Sequence, residues 1–254
     1  ENVTVDEEYA AYYDQLFDAL LANGITPMIC LEHYELPGYL LEKYGGWGSK
    51  TVVELFVRYA EKVFARYHPK VTRWFTFNEP IVVQTRVYLD ALRWPYEQNT
   101  STWMQWNYHK VLATACVVKR FRELGYPGTV GCILNPEVTY PRSRAPHDLR
   151  AAEIYDLFYN RMFLDPLVHG VWPPALLALL EQHQVTWEAS AEELAIIREH
   201  TVDELGINLY YPHRVKAPSR AWHPHTPFHP AWYYEPFELP GRRMNASRGW
   251  EIYP

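Results

Sequence analysis

The residues best placed for chemistry are Asn78 and Glu79, at the end of the stretch Val71-Thr-Arg-Trp-Phe-Thr-Phe-Asn-Glu-Pro80. Val71, Trp74, Phe75 and Phe77 are β-branched or aromatic and fall in one short run, which predicts a buried strand. Pro80 stops it, because proline has no N–H for the ladder and pushes the residue before it into an extended shape. A carboxylate and an amide are therefore presented at the C-terminal end of a buried strand, the end where parallel α/β sheets bind ligands. The plainer alternative is a partly exposed glutamate that merely begins a loop. The two differ in whether other polar strand ends gather around it.

Periodicity supplies the elements that would position this pair. A helix is predicted from about Asp6 to Ala22, with Tyr9, Tyr13, Leu16, Phe17, Leu20 and Leu21 on one face and Asn23-Gly24 as a left-handed stop. Ile25 to Leu31 reads as a strand running into Glu32-His33-Tyr34-Glu35-Leu36-Pro37. A helix over about Thr51 to Tyr67 has capping-box spacing at Thr51 and Glu54, and a stripe of Val52, Leu55, Phe56, Tyr59, Val63 and Phe64. Beyond Pro80 an irregular stretch leads to a long helix from about Thr102 to Leu124, then to a strand from Thr129 to Leu134.

Helical segments follow over about Asp148 to Val168, Pro174 to His183 and Ser190 to His200, the last with a Ser190/Glu193 capping box. A fourth strand, Glu204 to Leu209, opens into Tyr210-Tyr211-Pro212. The seven prolines from Pro212 to Pro240 predict one long loop. Strands this far apart, separated by helices and without hairpin signals, require a parallel sheet with helical crossovers.

Composition narrows the function classes. The 254 residues can bury a substantial core as one domain, and 48% hydrophobic content is that of a globular chain. A net charge of −6 argues against a nucleic-acid partner, whose phosphates it would repel. No apolar run approaches membrane-spanning length, so no membrane partner is expected. Cys30, Cys116 and Cys132 form no CxxC pair and read as reduced core thiols, consistent with cytoplasm. His223 and His225, with His213 and His229, invite a metal reading, but prolines break their spacing and no acidic ligands accompany them; a solvated loop is the better account. No metal or cofactor is expected. Arg242-Arg243 reads as a solvated basic pair rather than a phosphate clamp.

Four strand-end signatures line up: His33-Tyr34-Glu35-Leu36-Pro37, Asn78-Glu79-Pro80, Tyr140-Pro141 and Gly206-Ile207-Asn208-Leu209-Tyr210-Tyr211. Together they resemble glycoside hydrolase family 1 over essentially the whole chain. Finer features are similar to its 6-phospho-β-glucosidase branch. These are Tyr34 where plain β-glucosidases usually carry Trp, Gly131-Cys132 in the third strand, and Gly249-Trp250-Glu251-Ile252-Tyr253-Pro254. The resemblance implies a (β/α)8 barrel, an α/β fold. The strands here are similar to its third to sixth, so residues 1–254 are expected to form one partial barrel domain. The family's first two strands would precede Glu1 and its last two would follow Pro254. The nucleophile, usually the Glu of a Thr-Glu-Asn-Gly strand end, has no counterpart in these residues, nor has the Ser/Lys/Tyr segment that binds the substrate phosphate.

What the resemblance implies for the residues is specific. Glu79 would be the acid/base of a retaining β-glycosidase, with a carboxyl pKa raised by burial and by the nucleophile's charge. Asn78 would bind the sugar 2-hydroxyl and His33 a hydroxyl of the glycone. Tyr210 resembles the residue that orients the nucleophile, with Asn208 on the same strand face. Tyr34 and Trp250 are candidate sugar-contacting rings, with ordinary packing as the alternative. The substrate would be a 6-phospho-β-glucoside, or a β-glucoside in the plain branch. An endo-acting glycanase and a non-catalytic sugar-binding protein without a nucleophile are the more distant readings. The outer strands would expose unpaired backbone, an invitation to homo-oligomerise.

Overall fold

The computed structural model describes residues 3–221 and 226–253. Its centre is a four-stranded, wholly parallel sheet in the order β1 (Met28–Glu32), β2 (Arg73–Asn78), β3 (Thr129–Leu134) and β5 (Glu204–Ile207). The ends of β1, β2 and β5 named above are thereby brought to one rim, whereas Tyr140-Pro141 falls in a separate small sheet. The crossovers are α2 (Gly38–Tyr44) and α3 (Lys50–Tyr67) between β1 and β2, and α5 (Thr100–Leu124) between β2 and β3. Between β3 and β5 run α6 (Pro146–Asp156), a π-helical turn (Leu157–Arg161), α7 (Met162–His169), α8 (Pro174–Gln182) and α9 (Ala191–Glu199).

Helix α5 is buried nearly all round, from Trp103 to Phe121, because it packs between the sheet and the helices α3, α7 and α9. Phe64 of α3 meets both fully buried Trp74 on β2 and Phe121 of α5 edge-on, each pair with ring centroids 4.9 Å apart. Deleting that indole would cost about 3–5 kcal/mol. At Gly131 a Cβ would stand 2.5 Å from the Glu204 carbonyl oxygen, so only glycine lets β3 and β5 approach this closely.

Local chemistry sets the element ends, and in places it departs from the sequence reading. The Ser190/Glu193 capping box forms as expected. The Thr51/Glu54 box does not: Ser49 caps α3 instead, accepting from the Thr51 N–H. Pro27 delays β1, which starts at Met28 rather than Ile25, and β5 ends at Ile207. The stretch after Pro80 is not irregular throughout; α4 (Val82–Gln84) and a π-helical turn (Thr85–Leu89) occupy it. Nor is the proline-rich region a single loop. Strand β6 (His213–Lys216) pairs parallel with β4 (Thr139–Pro141) and antiparallel with β7 (Glu235–Pro236), over a small core of Ala151, Ala152, Tyr155, Val215 and Tyr234. Strands of two to four residues are too short for a period of two to show.

The face predicted for α1 (Glu7–Ala22) is only partly buried. Phe17 is in the core, but Tyr9 is 69% and Tyr13 47% exposed. These residues, with Ile25 and Met28, line an open apolar groove of about 610 Å³ beside β1. The reason is topological: β1 and β5 are the sheet's two outer strands, and among the described residues nothing pairs with their free edges. Of the three free cysteines, Cys132 is buried while Cys30 and Cys116 are only half-buried. No helix among the described residues is long and apolar enough to cross a membrane.

Candidate active site

Asn78 and Glu79 leave the end of β2 at a bulge between Phe75 and Asn78, which re-aims consecutive side chains. Glu79 adopts a left-handed backbone (φ 46°), held by its N–H on the Ile133 carbonyl at 2.8 Å. Its carboxyl group is buried under three donors. The Tyr34 hydroxyl donates to Oε2, and the Tyr210 hydroxyl donates to Oε1. Asn208 Nδ2 reaches the same Oε1 at 2.8 Å and Asn78 Oδ1 at 3.0 Å. Asn78 Nδ2 in turn lies 3.1 Å from His33 Nε2. His33, Tyr34, Asn78, Glu79, Asn208 and Tyr210 thus form one hydrogen-bonded network across three strand ends.

Glu79 itself is 6% exposed, whereas Tyr34 is 37% and Tyr210 52% exposed, so the network opens to solvent on the side of the two rings. Trp250 completes that side, with its ring centroid 5.4 Å from Tyr210 and 5.0 Å from Tyr211, and the Arg248 guanidinium 5.2 Å over it. Its position is clamped by a nearly buried ion pair between Arg214 and Glu251, 2.7 Å apart. All seven residues singled out from the sequence meet at this rim.

The charge state is the point that differs from expectation. Burial pushes the Glu79 carboxyl up, as anticipated, but the hydrogen bonds from Tyr210, Tyr34 and Asn208 outweigh it and leave the carboxyl below its ordinary range. All three donors stabilise the ionised form. Burial and the facing Glu79 carboxylate raise the Tyr34 phenol well above its ordinary value, so that hydroxyl stays a donor. Tyr210 bonds Glu79 here, not another carboxylate.

Several buried or half-buried groups at or near the site are brought together only by the fold. Lys110 of α5 is 1% exposed and faces Glu32 at the end of β1, with Nζ 3.7 Å from Oε1. Glu137, Tyr155 and His213 form another cluster: the Tyr155 hydroxyl donates to Glu137 and lies 2.9 Å from His213 Nδ1. Each arises from residues far apart in the chain, with no spacing rule to unite them. Tyr140, by contrast, packs against Tyr253 and Arg214 in the small sheet, away from Glu79.

Among the described residues no group of three or more His, Cys, Asp or Glu side chains is placed to hold a metal ion. His213 is engaged by Tyr155, and His229 Nδ1 accepts from the Ala231 N–H. His223 and His225 lie outside the described residues. Of the pair read as solvated, Arg243 is exposed but Arg242 is half-buried and pairs with Glu238 at 2.9 Å.

Parallel strands with helical crossovers, and a buried glutamate held by tyrosine and asparagine at their C-terminal rim, are the architecture of part of a (β/α)8 barrel. Residues 1–232 match the model of glycosyl hydrolase family 1, and the chain belongs to that family. It is 40% identical over 98% of its length to a 6-phospho-beta-glucosidase of Bacillus subtilis (strain 168), covering 53% of that protein. An aryl-phospho-beta-D-glucosidase of the same organism is 33% identical over 81% of this chain and 44% of its own length. Among solved structures, the family 1 β-glucosidase of Thermotoga maritima superposes with a TM-score of 0.86 at 27% identity, over 100% of this chain and 54% of that one. The psychrophilic beta-glucosidase BglU of Micrococcus antarcticus gives 0.83 at 32% identity, over 98% and 55%. The chain therefore spans about half the length of the relatives it matches.

Proposed function

We propose that this chain carries the acid/base half of a retaining β-glycosidase that hydrolyses 6-phospho-β-glucosides. The observation that carries the reading is the Glu79 carboxyl group, buried at a strand end and gripped by Tyr34, Asn208 and Tyr210. A retaining mechanism needs a second carboxylate about 5–5.5 Å away to attack the anomeric carbon while the first protonates the leaving oxygen. The family resemblance puts that nucleophile on a strand with no counterpart in these residues. Its negative charge, with a substrate oxygen displacing one of the tyrosine donors, is what would lift Glu79 from its low ground-state pKa into the range of an acid. Once the nucleophile is glycosylated its charge is gone. Glu79 then falls back to the carboxylate its donors favour and removes a proton from the attacking water.

In this reading Asn78, fixed between His33 and Asn208, presents its amide to the sugar 2-hydroxyl, a contact that strengthens in the transition state. His33 binds a second glycone hydroxyl. Tyr34 and Trp250 flank the sugar with aromatic faces. Tyr210 is shared with the nucleophile when that group is present. No cofactor is called for by this chemistry, and the three unpaired cysteines suit a cytoplasmic setting. The phosphate preference rests on the relatives bearing phospho-glucosidase names and on Tyr34 and Gly131-Cys132. A plain β-glucosidase is the second reading, favoured by the names of the superposed structures.

Two assays on the full-length protein test this. Glu79→Ala should cripple hydrolysis of substrates with poor leaving groups, spare the first step with activated aryl glycosides, and respond to added azide; equal losses without rescue would refute the role. Comparing kcat/KM for an aryl β-glucoside with and without a 6-phosphate decides the substrate, and equal values would favour the plain enzyme.

A further inference from the structure

Tyr34 and Glu79 share an unusual backbone. Both are non-glycine residues in the left-handed region, with φ of 76° and 46°, on neighbouring strand ends. Such a conformation costs of order 1–3 kcal/mol and persists only where surrounding structure enforces it. In front, toward the rim, the two side chains hold one another through the Tyr34–Glu79 hydrogen bond. Behind, in the layer between sheet and helices, lies a feature with no part in the chemistry described so far. Glu32, two residues before Tyr34, is 6% exposed and faces Lys110 of α5, itself 1% exposed.

Each end of this ion pair grips one of the two turns. The Lys110 ammonium reaches the Pro80 carbonyl, next in the chain after Glu79, at 3.4 Å. Gln84 Nε2 donates to the same oxygen at 2.5 Å, so both of its lone pairs are used by buried side chains. Burial pushes the Glu32 carboxyl up, and the Lys110 charge and the Tyr34 backbone N–H pull it back toward the ionised form. Its Oε2 has no hydrogen-bond partner among the described residues, and Glu32 helps Tyr34, Trp47 and Trp106 to line a small aromatic cavity of about 140 Å³. The ammonium is confined from the other sides by the faces of Trp47 and Phe77, 5.6 and 5.1 Å from the ring centroids. Neither charge can swing to water. Lys110 therefore has one carboxylate and one carbonyl to satisfy it, and they belong to the two strained turns.

We propose that Lys110 and Glu32 are positioning residues for the acid/base: their buried ion pair ties the Tyr34 turn to the Glu79–Pro80 turn from behind, and so sets the geometry of the Tyr34–Glu79 contact. This rests on the reading of Glu79 as the acid/base. A buried pair of this kind is a weak source of stability, since desolvating two charges offsets most of their attraction. What it supplies is geometry: with either partner gone, the Pro80 carbonyl or the Tyr34 N–H loses a charged neighbour and the turn can relax toward negative φ. A carboxyl displaced by about 1 Å from its reactive position can cost a hundredfold in rate.

The test is the dependence of kcat/KM on the leaving group in the full-length enzyme, because only protonation by Glu79 makes that dependence shallow. Lys110→Met is expected to lose about 10–100-fold on a phenyl glycoside but under about threefold on a dinitrophenyl glycoside. Affinity for a ground-state competitive inhibitor should change little. Equal losses on every leaving group would mean only less folded enzyme, and would overturn the proposal. Lys110→Met leaves Glu32 buried without a counter-charge, so Glu32→Gln and the double variant Glu32→Gln/Lys110→Met, which bury no lone carboxylate, are measured beside it. A steeper slope in these variants supports the proposal; a wild-type slope in the double variant shows that the charges merely neutralise one another and overturns it. Glu79→Ala in the same series keeps the two readings apart. If its slope matches the wild type, the acid/base assignment itself fails; if Glu79→Ala steepens it and the Lys110 and Glu32 variants do not, only the positioning role fails.

Discussion

Replacing Tyr34 by Phe removes one oxygen and leaves the ring in place, so it isolates the hydroxyl's hold on Glu79. That hydroxyl is one of three donors whose bonds outweigh burial and keep the carboxyl below its ordinary range. A hydrogen bond to a charged acceptor contributes about 1.5–3 kcal/mol, and the 37% exposure of Tyr34 places this one toward the lower end. A loss of about 1.4 kcal/mol is tenfold in the protonation equilibrium. The bond stabilises the carboxylate, so Tyr34→Phe should make Glu79 about tenfold easier to protonate.

The basic limb of the kcat/KM profile, which reports loss of the acid's proton, should therefore move to higher pH. Stability follows the same sign. A folded-state pKa below the unfolded one stabilises the fold above the unfolded value, and that stabilisation is lost as pH falls through the folded value. Tyr34→Phe should thus flatten the fall in stability on the acid side of the carboxylate range. The assay is a pH–rate profile of the full-length protein, with pre-steady-state kinetics to separate the two chemical steps. A basic limb that stays put or moves to lower pH would refute the account of what holds Glu79 ionised.

Other expectations follow from packing and topology. Gly131→Ala must push β3 from β5 or bend Phe75 and Glu204 aside, and should destabilise by about 1–3 kcal/mol in urea titration. Arg214→Met strands nearly buried Glu251 and should lower stability by about 3 kcal/mol; loosening Trp250, it should also raise KM more than it lowers kcat. These 254 residues expressed alone should cleave no aryl glycoside and should elute from size exclusion as associated species, since β1 and β5 offer open edges and the α1 groove is apolar. A cooperative, active monomer would show that the barrel register is misread.

The amino-acid sequence by itself determined the sheet and the rim. Runs such as Val71 to Phe77 are short, apolar and ended by proline, and long amphipathic helices separate them, so a parallel sheet was the available solution and its strand ends had to converge. Asn78 and Glu79 stand out from that pattern alone, whereas His33, Tyr34, Asn208, Tyr210 and Trp250 are marked only by the resemblance to glycoside hydrolase family 1. Only the tertiary structure decided the charge of Glu79, because burial and hydrogen bonding act in opposite directions on a carboxyl group and their balance depends on how many donors arrive. It also decided that α1 would keep half of its apolar face exposed, since a helix can bury a stripe only where a neighbour exists. The Glu32–Lys110 pair and the β4–β6–β7 sheet depend on chain segments dozens of residues apart meeting in space. No local period or spacing encodes such meetings.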